Sequence, residues 1–332
     1  MAWVGFCVFI LIMLAIDLGV FNRKPHEVGY KDAALWSAIW VALALIFAGL
    51  LFGPLGWELF GPARHQKALE FLTGYVIELS LSVDNLFVFL LIFSYFKVPS
   101  KYQHRVLYWG VLGALVMRVA MILLGTELIA HFNWIIYIFG AFLIYTSVQM
   151  FRPGETEFEP ENNFVVRFVT RYVPITRHYE RRKFFTVIDG KRLGTLLLLV
   201  LIVVEFTDLV FAVDSIPAIF GVTTDRFIIY TSNVFAILGL RTFYFLLAGV
   251  VEKFHYLKFG LGIVLGFIGA KMLLPLATQL VSMGLHSLGY DGLVPYVQGL
   301  EHIPIGIALG IVALVLFGSV AASLIWPKKK AG

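Results

Sequence analysis

The hydrophobic positions of this chain form long uninterrupted runs, and the polar positions fall mostly between them. About 20 apolar residues cross roughly 30 Å of hydrocarbon as a helix, so runs of that length predict membrane spans. Continuous apolar stretches such as 196–204 favour helices over the alternating strands of a β-barrel. The pattern predicts an all-α polytopic membrane protein with nine transmembrane helices, near 3–21, 33–55, 69–96, 106–125, 134–151, 193–220, 227–251, 256–281 and 303–326.

Composition supports this prediction, because 60% of the residues are hydrophobic and only 14% are charged. Soluble domains carry about 25% charged residues. The loops after odd-numbered spans, together with the C-terminus, hold 20 basic residues, whereas the other loops hold 3. The positive-inside rule then predicts the N-terminus outside and the C-terminus in the cytoplasm. Topology accounts for the net charge of +5, so we expect no nucleic acid partner.

The chain also contains two related segments, which is a common feature of transporters. Residues 78–85 align with residues 208–215, and both read acid, Leu, three residues, Val, Asp and a small polar residue. Acidic matches within apolar spans are more informative than apolar matches, which arise easily by chance. Three further residues recur at one constant offset: Phe132, Gly140 and Met150 as Phe254, Gly262 and Met272.

Each repeat unit comprises three predicted spans, so the second unit enters the membrane from the opposite side. The sequence therefore predicts a pair of inverted repeats within one transmembrane domain, 1–332. Its parts are unit one at about 69–151, a cytoplasmic loop at 152–192, unit two at about 193–281, and peripheral helices at 3–21, 33–55 and 303–326.

Glu70 and Glu127 sit at span ends, where we expect them to be interfacial. Six other acidic residues fall within the predicted spans: Asp17, Glu78, Asp84, Glu205, Asp208 and Asp214. Each costs roughly 2.5–3.5 kcal/mol at a helix centre, so these charges need compensation. Away from their ends, the spans contain only three basic residues, Arg118, Arg241 and Lys271. Protons or a bound metal must meet the remaining negative charge. A structural alternative is that the acids only pair with the arginines and hold helices together.

Spacing divides these acids further. Glu205 and Asp208 are three residues apart and share a helix face. Asp214 is six residues beyond Asp208 and is rotated by about 240° on an ideal helix. Either the helix is locally unwound or the two acids have different partners. Pro217 favours unwinding, because it removes the hydrogen bond to the Val213 carbonyl.

The ligands available around these acids are oxygen atoms, without His or Cys. Such a set disfavours zinc and copper and favours Mn²⁺, Ca²⁺ or Mg²⁺, which the residues alone do not rank. The candidate metal ligands are Glu78, Asp84, Asn85, Glu205, Asp208, Asp214 and Ser215, with Asp17, Val213 and Asn233 as additional candidates and Arg118 and Arg241 as counter-charges.

At these positions the chain resembles the TerC/Alx family of bacterial membrane proteins, and within it the Alx type. The matching stretches are 15–21, 78–85, 205–208, 211–218 and 233–241. The resemblance implies a bacterial inner-membrane location, a nine-span fold similar to the LysE superfamily and manganese export without a prosthetic group, with Ca²⁺ a less favoured ion. It also implies an ion site formed by Glu78, Asp84, Asn85, Asp208, Asp214 and Ser215.

Two other functions are compatible with the sequence: export of another cationic solute, such as a basic amino acid, and a membrane scaffold that supplies metal to exported proteins. An intramembrane aspartyl protease is not expected, since neither Asp84 nor Asp214 lies in a Gly-x-Gly-Asp setting, and we predict no enzymatic activity. We expect the 152–192 loop to lie on lipid headgroups. A membrane-protein partner for that loop, a regulatory metal site within it and a homo-oligomer are also compatible.

Overall fold

The computed structural model describes residues 2–21, 30–152, 164–176, 179–180, 183–188, 190–247, 256–288, 290, 295 and 303–326. Most of these residues are helical. The helices are α1 (Ala2–Phe21), α2 (Tyr30–Phe52), α3 (Pro54–Phe60), α4 (Arg64–Tyr95), α5 (Ser100–His131), α6 (Ile135–Phe151), α7 (Phe164–Tyr172), α8 (Leu196–Phe220), α9 (Arg226–Leu247), α10 (Leu257–Ser287) and α11 (Ile305–Ile325). A 3₁₀ turn, Gly61–Ala63, joins α3 to α4, and the strands are β1 (Phe185–Ile188) and β2 (Lys191–Gly194).

Within the described ranges, six segments are long and apolar enough to cross a bilayer: Lys31–Phe52, Pro54–Tyr95, Ser100–His131, Leu196–Phe220, Leu257–Ser287 and Ile305–Ile325. The chain is therefore a multi-pass, all-α membrane protein. The three other predicted spans fall on shorter apolar helices, Trp3–Met13, Ile135–Phe151 and Arg226–Leu240. The number of nine crossings and the outside N-terminus stay predictions.

The helices differ from the predicted spans at their ends and at Pro217. Helix α5 extends several residues past both predicted boundaries, because polar residues at a membrane surface still make helical hydrogen bonds that a hydropathy pattern does not register. The expected unwinding at Pro217 was wrong, since α8 is helical from Leu196 to Phe220. Proline is tolerated in membrane helices when neighbouring helices support the backbone, and Pro217 is buried.

The two predicted units are interleaved. Helix α4 of unit one packs on α9 of unit two, α5 packs on α8, and α6 packs on α10. A Cβ at Gly140 would touch Met272, and a Cβ at Gly262 would touch Met150. The repeat alignment makes these two contacts equivalent, and two units related by a two-fold axis require such reciprocity. The inverted repeat itself remains a prediction, which this pairing supports.

The 152–192 loop contributes a short hairpin to the described structure. Strands β1 and β2 pair antiparallel, with Phe185 opposite Gly194 and Ile188 opposite Lys191. Gly190 in the turn has a φ of 74°, a conformation that glycine adopts without strain. Thr195 follows β2 and caps α8, accepting a hydrogen bond from the amide of Leu198. The hairpin is thus attached directly to the first turn of a membrane helix.

Two apolar clusters lie at different levels of α5. One contains Leu107 of α5 with Phe89 of α4 and Val200 of α8. The other contains Ile122 of α5 with Phe220 of α8. Charged side chains occupy the level between these clusters, and they form the candidate site.

Candidate functional site

Arg118 lies at the centre of the described bundle and is 2% exposed. Its Nη1 donates to Glu78 Oε1, to Asn233 Oδ1 at 3.2 Å and to Ser215 Oγ at 3.4 Å. These acceptors come from α4, α9 and α8, so one guanidinium from α5 joins four helices. Both predicted repeat units contribute to this arrangement, which we call the Arg118 cluster: Glu78, Ser82, Arg118, Asp208, Ser215 and Asn233.

The two carboxylates of the Arg118 cluster, Glu78 and Asp208, differ in their hydrogen bonds. Glu78 accepts from Arg118 and, at 3.3 Å, from the hydroxyl of Ser82. Asp208 Oδ2 lies 3.8 Å from Arg118 Nε, which is an ion-pair distance too long for a hydrogen bond. Neither of these two atoms has a hydrogen-bond partner among the described residues. Asp208 therefore has a buried oxygen that is available to another donor or to a cation.

The charges of this cluster do not balance. Two carboxylates face one guanidinium, and Glu78 and Asp208 are 1% and 3% exposed. Water cannot screen the surplus negative charge at such burial, so a proton, a bound cation or a basic side chain outside the described residues has to neutralise it. Glu78 and Asp208, candidate ligands from different predicted repeat units, are brought together here by their shared contact with Arg118.

The other candidate residues lie in several environments. Asn85 is buried on α4, one turn beyond Ser82 on the same face. The half-buried Glu205 packs against α5, where a Cβ at Gly113 would overlap its carboxylate. Asp214 is half-buried on α8, and the side chain of its neighbour Val213 is 44% exposed.

Three predicted residues cannot be placed. The side chains of Asp17, Asp84 and Arg241 lie outside the described part of the structure, so their part in the ion site stays a prediction. Among the side chains that are described, no three His, Cys, Asp or Glu residues are grouped closely enough to hold a metal ion. A complete ligand set would have to include oxygen atoms of Asn, Ser or the backbone, or an undescribed carboxylate.

A third buried carboxylate, Glu70, was expected to be interfacial, but it is only 4% exposed. It accepts from Gln66 Nε2 at 2.9 Å, Lys67 Nζ at 2.8 Å and Thr223 Oγ1 at 2.5 Å. Lys67 also lies 3.4 Å from Asp225 in the turn between α8 and α9. These residues form the Glu70 network: Gln66, Lys67, Glu70, Thr223 and Asp225. The spacing of Lys67 and Glu70 on one helix face could have predicted their pairing.

Asp225 anchors this network to the start of α9. Its Oδ1 accepts from the amides of Phe227 and Ile228, at 3.0 and 3.3 Å. This is an N-cap arrangement, in which unpaired amides and the helix dipole stabilise a negative charge. An Asp directly before an amphipathic stretch is a sequence signal for such a cap.

An open cavity of about 840 Å³ adjoins the Glu70 network and includes Glu70 and Lys271 in its wall. Phe220 also lines this cavity and belongs to the apolar cluster beside Ile122. Between Glu70 and Glu78 along α4, a Cβ at Gly74 would overlap Ile219 of α8. The contact of Gly74 with Ile219 therefore separates the Arg118 cluster from the cavity along this helix.

Comparison with known proteins agrees with the membrane architecture. The chain is 48% identical to an uncharacterized membrane protein of Myxococcus xanthus, over 97% of this chain and 92% of the relative. It is 47% identical to an Escherichia coli K12 protein named "Putative membrane-bound redox modulator Alx", over 95% and 91% of the two chains. An uncharacterized membrane protein of Rickettsia bellii is 40% identical over 82% and 87%.

No solved structure matches the chain significantly. The family comparison is more informative, because the profile of the integral membrane protein TerC family matches residues 63–331. The matched region includes every residue of the Arg118 cluster and of the Glu70 network. The predicted resemblance is thus confirmed, and the chain belongs to the integral membrane protein TerC family.

Proposed function

We propose that this protein exports a hard divalent cation, Mn²⁺ first among them, across the bacterial inner membrane. The observation that carries the proposal is the surplus carboxylate of the Arg118 cluster, with a buried Asp208 oxygen that lacks a hydrogen-bond partner among the described residues. Buried charges at membrane depth are costly, and in transporters they mark ion pathways. Among the described residues, the side-chain atoms near the site that can bind a cation are oxygens, which favours Mn²⁺ over zinc or copper.

In this mechanism Asp208 and Glu78 supply the negative charge that replaces the water shell of the ion. Ser215 and Asn233 add neutral oxygens from α8 and α9, and Asn85 extends the same face of α4. Arg118 stays between the carboxylates, so that after the ion leaves they remain partly neutralised and the site can reorient. Glu205, Asp214 and Asp84 are proposed as further stations, with Arg241 as the second counter-charge.

Replacement of Asp208 by Asn separates a transport role from a purely structural one. If the acids serve only to hold helices together through Arg118, Asp208→Asn weakens that pairing and lowers the amount of folded protein in the membrane, but it has no reason to change ion movement by the protein that does fold. If Asp208 binds the ion, the variant accumulates in the membrane and loses transport, because a divalent ion needs the charge. Asp214→Asn is expected to behave in the same way.

Uptake into everted vesicles, measured with Mn²⁺, Ca²⁺ and a proton-sensitive dye, is the decisive measurement. Glu127→Gln is the matched control, since Glu127 is an exposed acid on α5 with 54% of its side chain accessible. Normal Mn²⁺ uptake by Asp208→Asn refutes the ion-site assignment. Disappearance of the variant from the membrane instead supports structural pairing. Uptake of lysine or arginine in place of metal would identify an amine exporter.

The name of the Alx relatives adds a second candidate, redox modulation. This sequence contains one cysteine, Cys7, which cannot form an intrachain thiol–disulfide couple. We therefore propose that any redox effect of this chain follows from moving a redox-active metal. A variant Cys7→Ser should retain full Mn²⁺ transport, whereas thiol-dependent redox activity would be lost with the cysteine.

A further inference from the structure

The segment between the two predicted units exposes apolar and basic side chains outside the spans. On α7, Phe168 and Tyr172 are 52% and 67% exposed, and their rings lie 4.8 Å apart. The hairpin exposes Phe185, Val187 and Ile188, with Val187 at 68%. Large apolar side chains that remain exposed outside a membrane span generally mark an interaction surface. We call this surface the loop platform: Arg167, Phe168, Arg171, Tyr172, Phe185, Val187 and Arg192.

The opposite side of this segment is firmly attached to the bundle. Val169 of α7 is buried in the apolar cluster that contains Leu197 of α8. After α7 the chain pairs with the end of β2, where Gly194 donates to the carbonyl of Pro174 at 2.9 Å. The segment therefore has a packed inner side and an exposed outer side, and its position relative to α8 is fixed.

A hydrogen bond also fixes the segment to the turn after α4. The hydroxyl of Tyr179 donates to the carbonyl of Phe96 at 2.7 Å. Burial raises the pKa of Tyr179 to about 12, so the hydroxyl keeps its proton throughout the neutral and mildly alkaline range. This attachment does not loosen at the pH values at which the platform can be studied.

The height of the platform above the membrane follows from covalent connection. Gly194 is the last residue of β2, and α8, a candidate membrane span, begins at Leu196. A four-residue strand rises about 13 Å, so no part of the hairpin can be far from the surface that α8 enters. That distance is about twice the thickness of one headgroup layer, so the hairpin starts at the headgroups and its turn lies close to them.

The charge of the segment matches anionic headgroups. Residues 164–192 contain eight basic and two acidic residues. The guanidinium of Arg192 lies over the ring of Phe185 at 4.6 Å, and that of Arg105 lies over Phe184 at 4.7 Å. Arginine held flat on an aromatic ring still presents donors to phosphate oxygens. Aromatic and basic residues together are typical of segments in the membrane interface.

We propose that the loop platform docks onto anionic lipid headgroups of the leaflet that α8 enters. Phe168, Tyr172 and Val187 insert among the headgroups, and Arg167, Arg171 and Arg192 bind their phosphates. The lipid layer covers the exposed apolar side chains and at the same time neutralises the basic excess. This inference is independent of the transported ion.

A cysteine-free background, Cys7→Ser, makes the docking measurable. A fluorophore on Val187→Cys, or on Phe168→Cys as a second reporter, is compared in proteoliposomes with and without phosphatidylglycerol. We expect the anionic lipid to protect the fluorophore from iodide and expose it to a spin label carried at headgroup depth. A fluorophore on Glu127→Cys, at another exposed site, should respond equally in both lipids.

Removing a basic residue and raising the ionic strength then test whether electrostatic attraction causes the protection of the fluorophore. Each basic residue near an anionic surface favours docking by about fivefold, so Arg171→Gln should lower the docked fraction while Arg226→Gln should not. Raising the ionic strength from about 0.01 to about 1 M shortens the Debye length from about 30 to about 3 Å and should release the fluorophore.

Several results would overturn the proposal. If the fluorophore is protected equally in neutral lipid, or if iodide reaches it freely in both lipids, anionic headgroups do not cover the loop platform. Protection that increases with protein density identifies a second copy of the chain. Protection that requires soluble proteins identifies a protein partner.

Discussion

The Arg118 cluster and the Glu70 network are both built around a buried carboxylate, yet they meet its charge differently. Both oxygens of Glu70 accept hydrogen bonds, from Gln66, Lys67 and Thr223. In the Arg118 cluster Asp208 Oδ2 has no hydrogen-bond partner among the described residues. Lys67 is about one-fifth exposed, whereas Arg118 is buried. A carboxylate whose oxygens all have hydrogen-bond donors, near a helix end, suits a structural connection. A carboxylate with an oxygen that lacks a donor, at the centre of the bundle, suits the binding of a cation.

The largest expected effect comes from removing the central cation. Arg118→Ala leaves Glu78 and Asp208 buried without a counter-charge, and breaking such a pair costs about 3–5 kcal/mol. We expect a strong fall in membrane yield and in the melting temperature of the purified protein. Adding Glu78→Gln and Asp208→Asn should restore much of the stability, because the unpaired charges are then removed. Unchanged melting of Arg118→Ala would contradict the ion pairing in the cluster.

The sequence predicted the central charges better than the peripheral ones. Glu78, Asp208 and Arg118 could be identified because ionisable residues in apolar runs are rare and need compensation. The difference in hydrogen bonding between Glu78 and Asp208 could not be predicted, since it depends on the distance between α5 and α8 to within tenths of an ångström. Glu70 was misjudged because its position near a span end suggested water contact, while Thr223, 153 residues away, covers it.

Among the backbone features, too, some could be predicted from the sequence and others could not. The hairpin could be predicted from a local Asp-Gly turn signal between two short β-prone stretches. The continuity of α8 through Pro217 could not, because the proline rule describes an isolated helix. In the structure Pro217 is buried, with Ala218 of the same turn packed in the apolar cluster that contains Leu265 of α10. Tertiary packing thus outweighs the local preference at this position.

An intermediate effect is expected in the Glu70 network. Thr223→Val removes the donor to Glu70 and the acceptor for the amide of Asp225, while keeping the shape of the side chain. A hydrogen bond to a charged group contributes about 1.5–3 kcal/mol, but Glu70 keeps two other donors, so we expect a loss of about 1–2 kcal/mol.

Thermal unfolding in detergent measures this loss, and Thr231→Val is the matched control. Among the described residues, the buried hydroxyl of Thr231 bonds only to carbonyls of its own helix, those of Phe227 and Ile228. Its removal should therefore change the melting temperature less than Thr223→Val does. Equal shifts for the two variants would show that the hydroxyl of Thr223 does not join α4 to the turn before α9. Mn²⁺ uptake should survive in both variants, since the Arg118 cluster is intact.

The smallest effect is expected where a charge pair faces solvent. Arg226 Nη2 lies 2.7 Å from Glu127 Oε1, a shorter separation than that of Asp208 from Arg118, but the two side chains are 49% and 54% exposed. Exposed pairs contribute about 0.2–1 kcal/mol because water and salt screen them. Arg226→Ala should therefore lower the melting temperature slightly at low salt and not at all at high salt, where Arg118→Ala stays strongly destabilising. A large, salt-independent fall in the melting temperature of Arg226→Ala would contradict this expectation. It would mean that burial does not explain the difference in strength between the exposed Arg226–Glu127 pair and the buried ion pairs of Arg118.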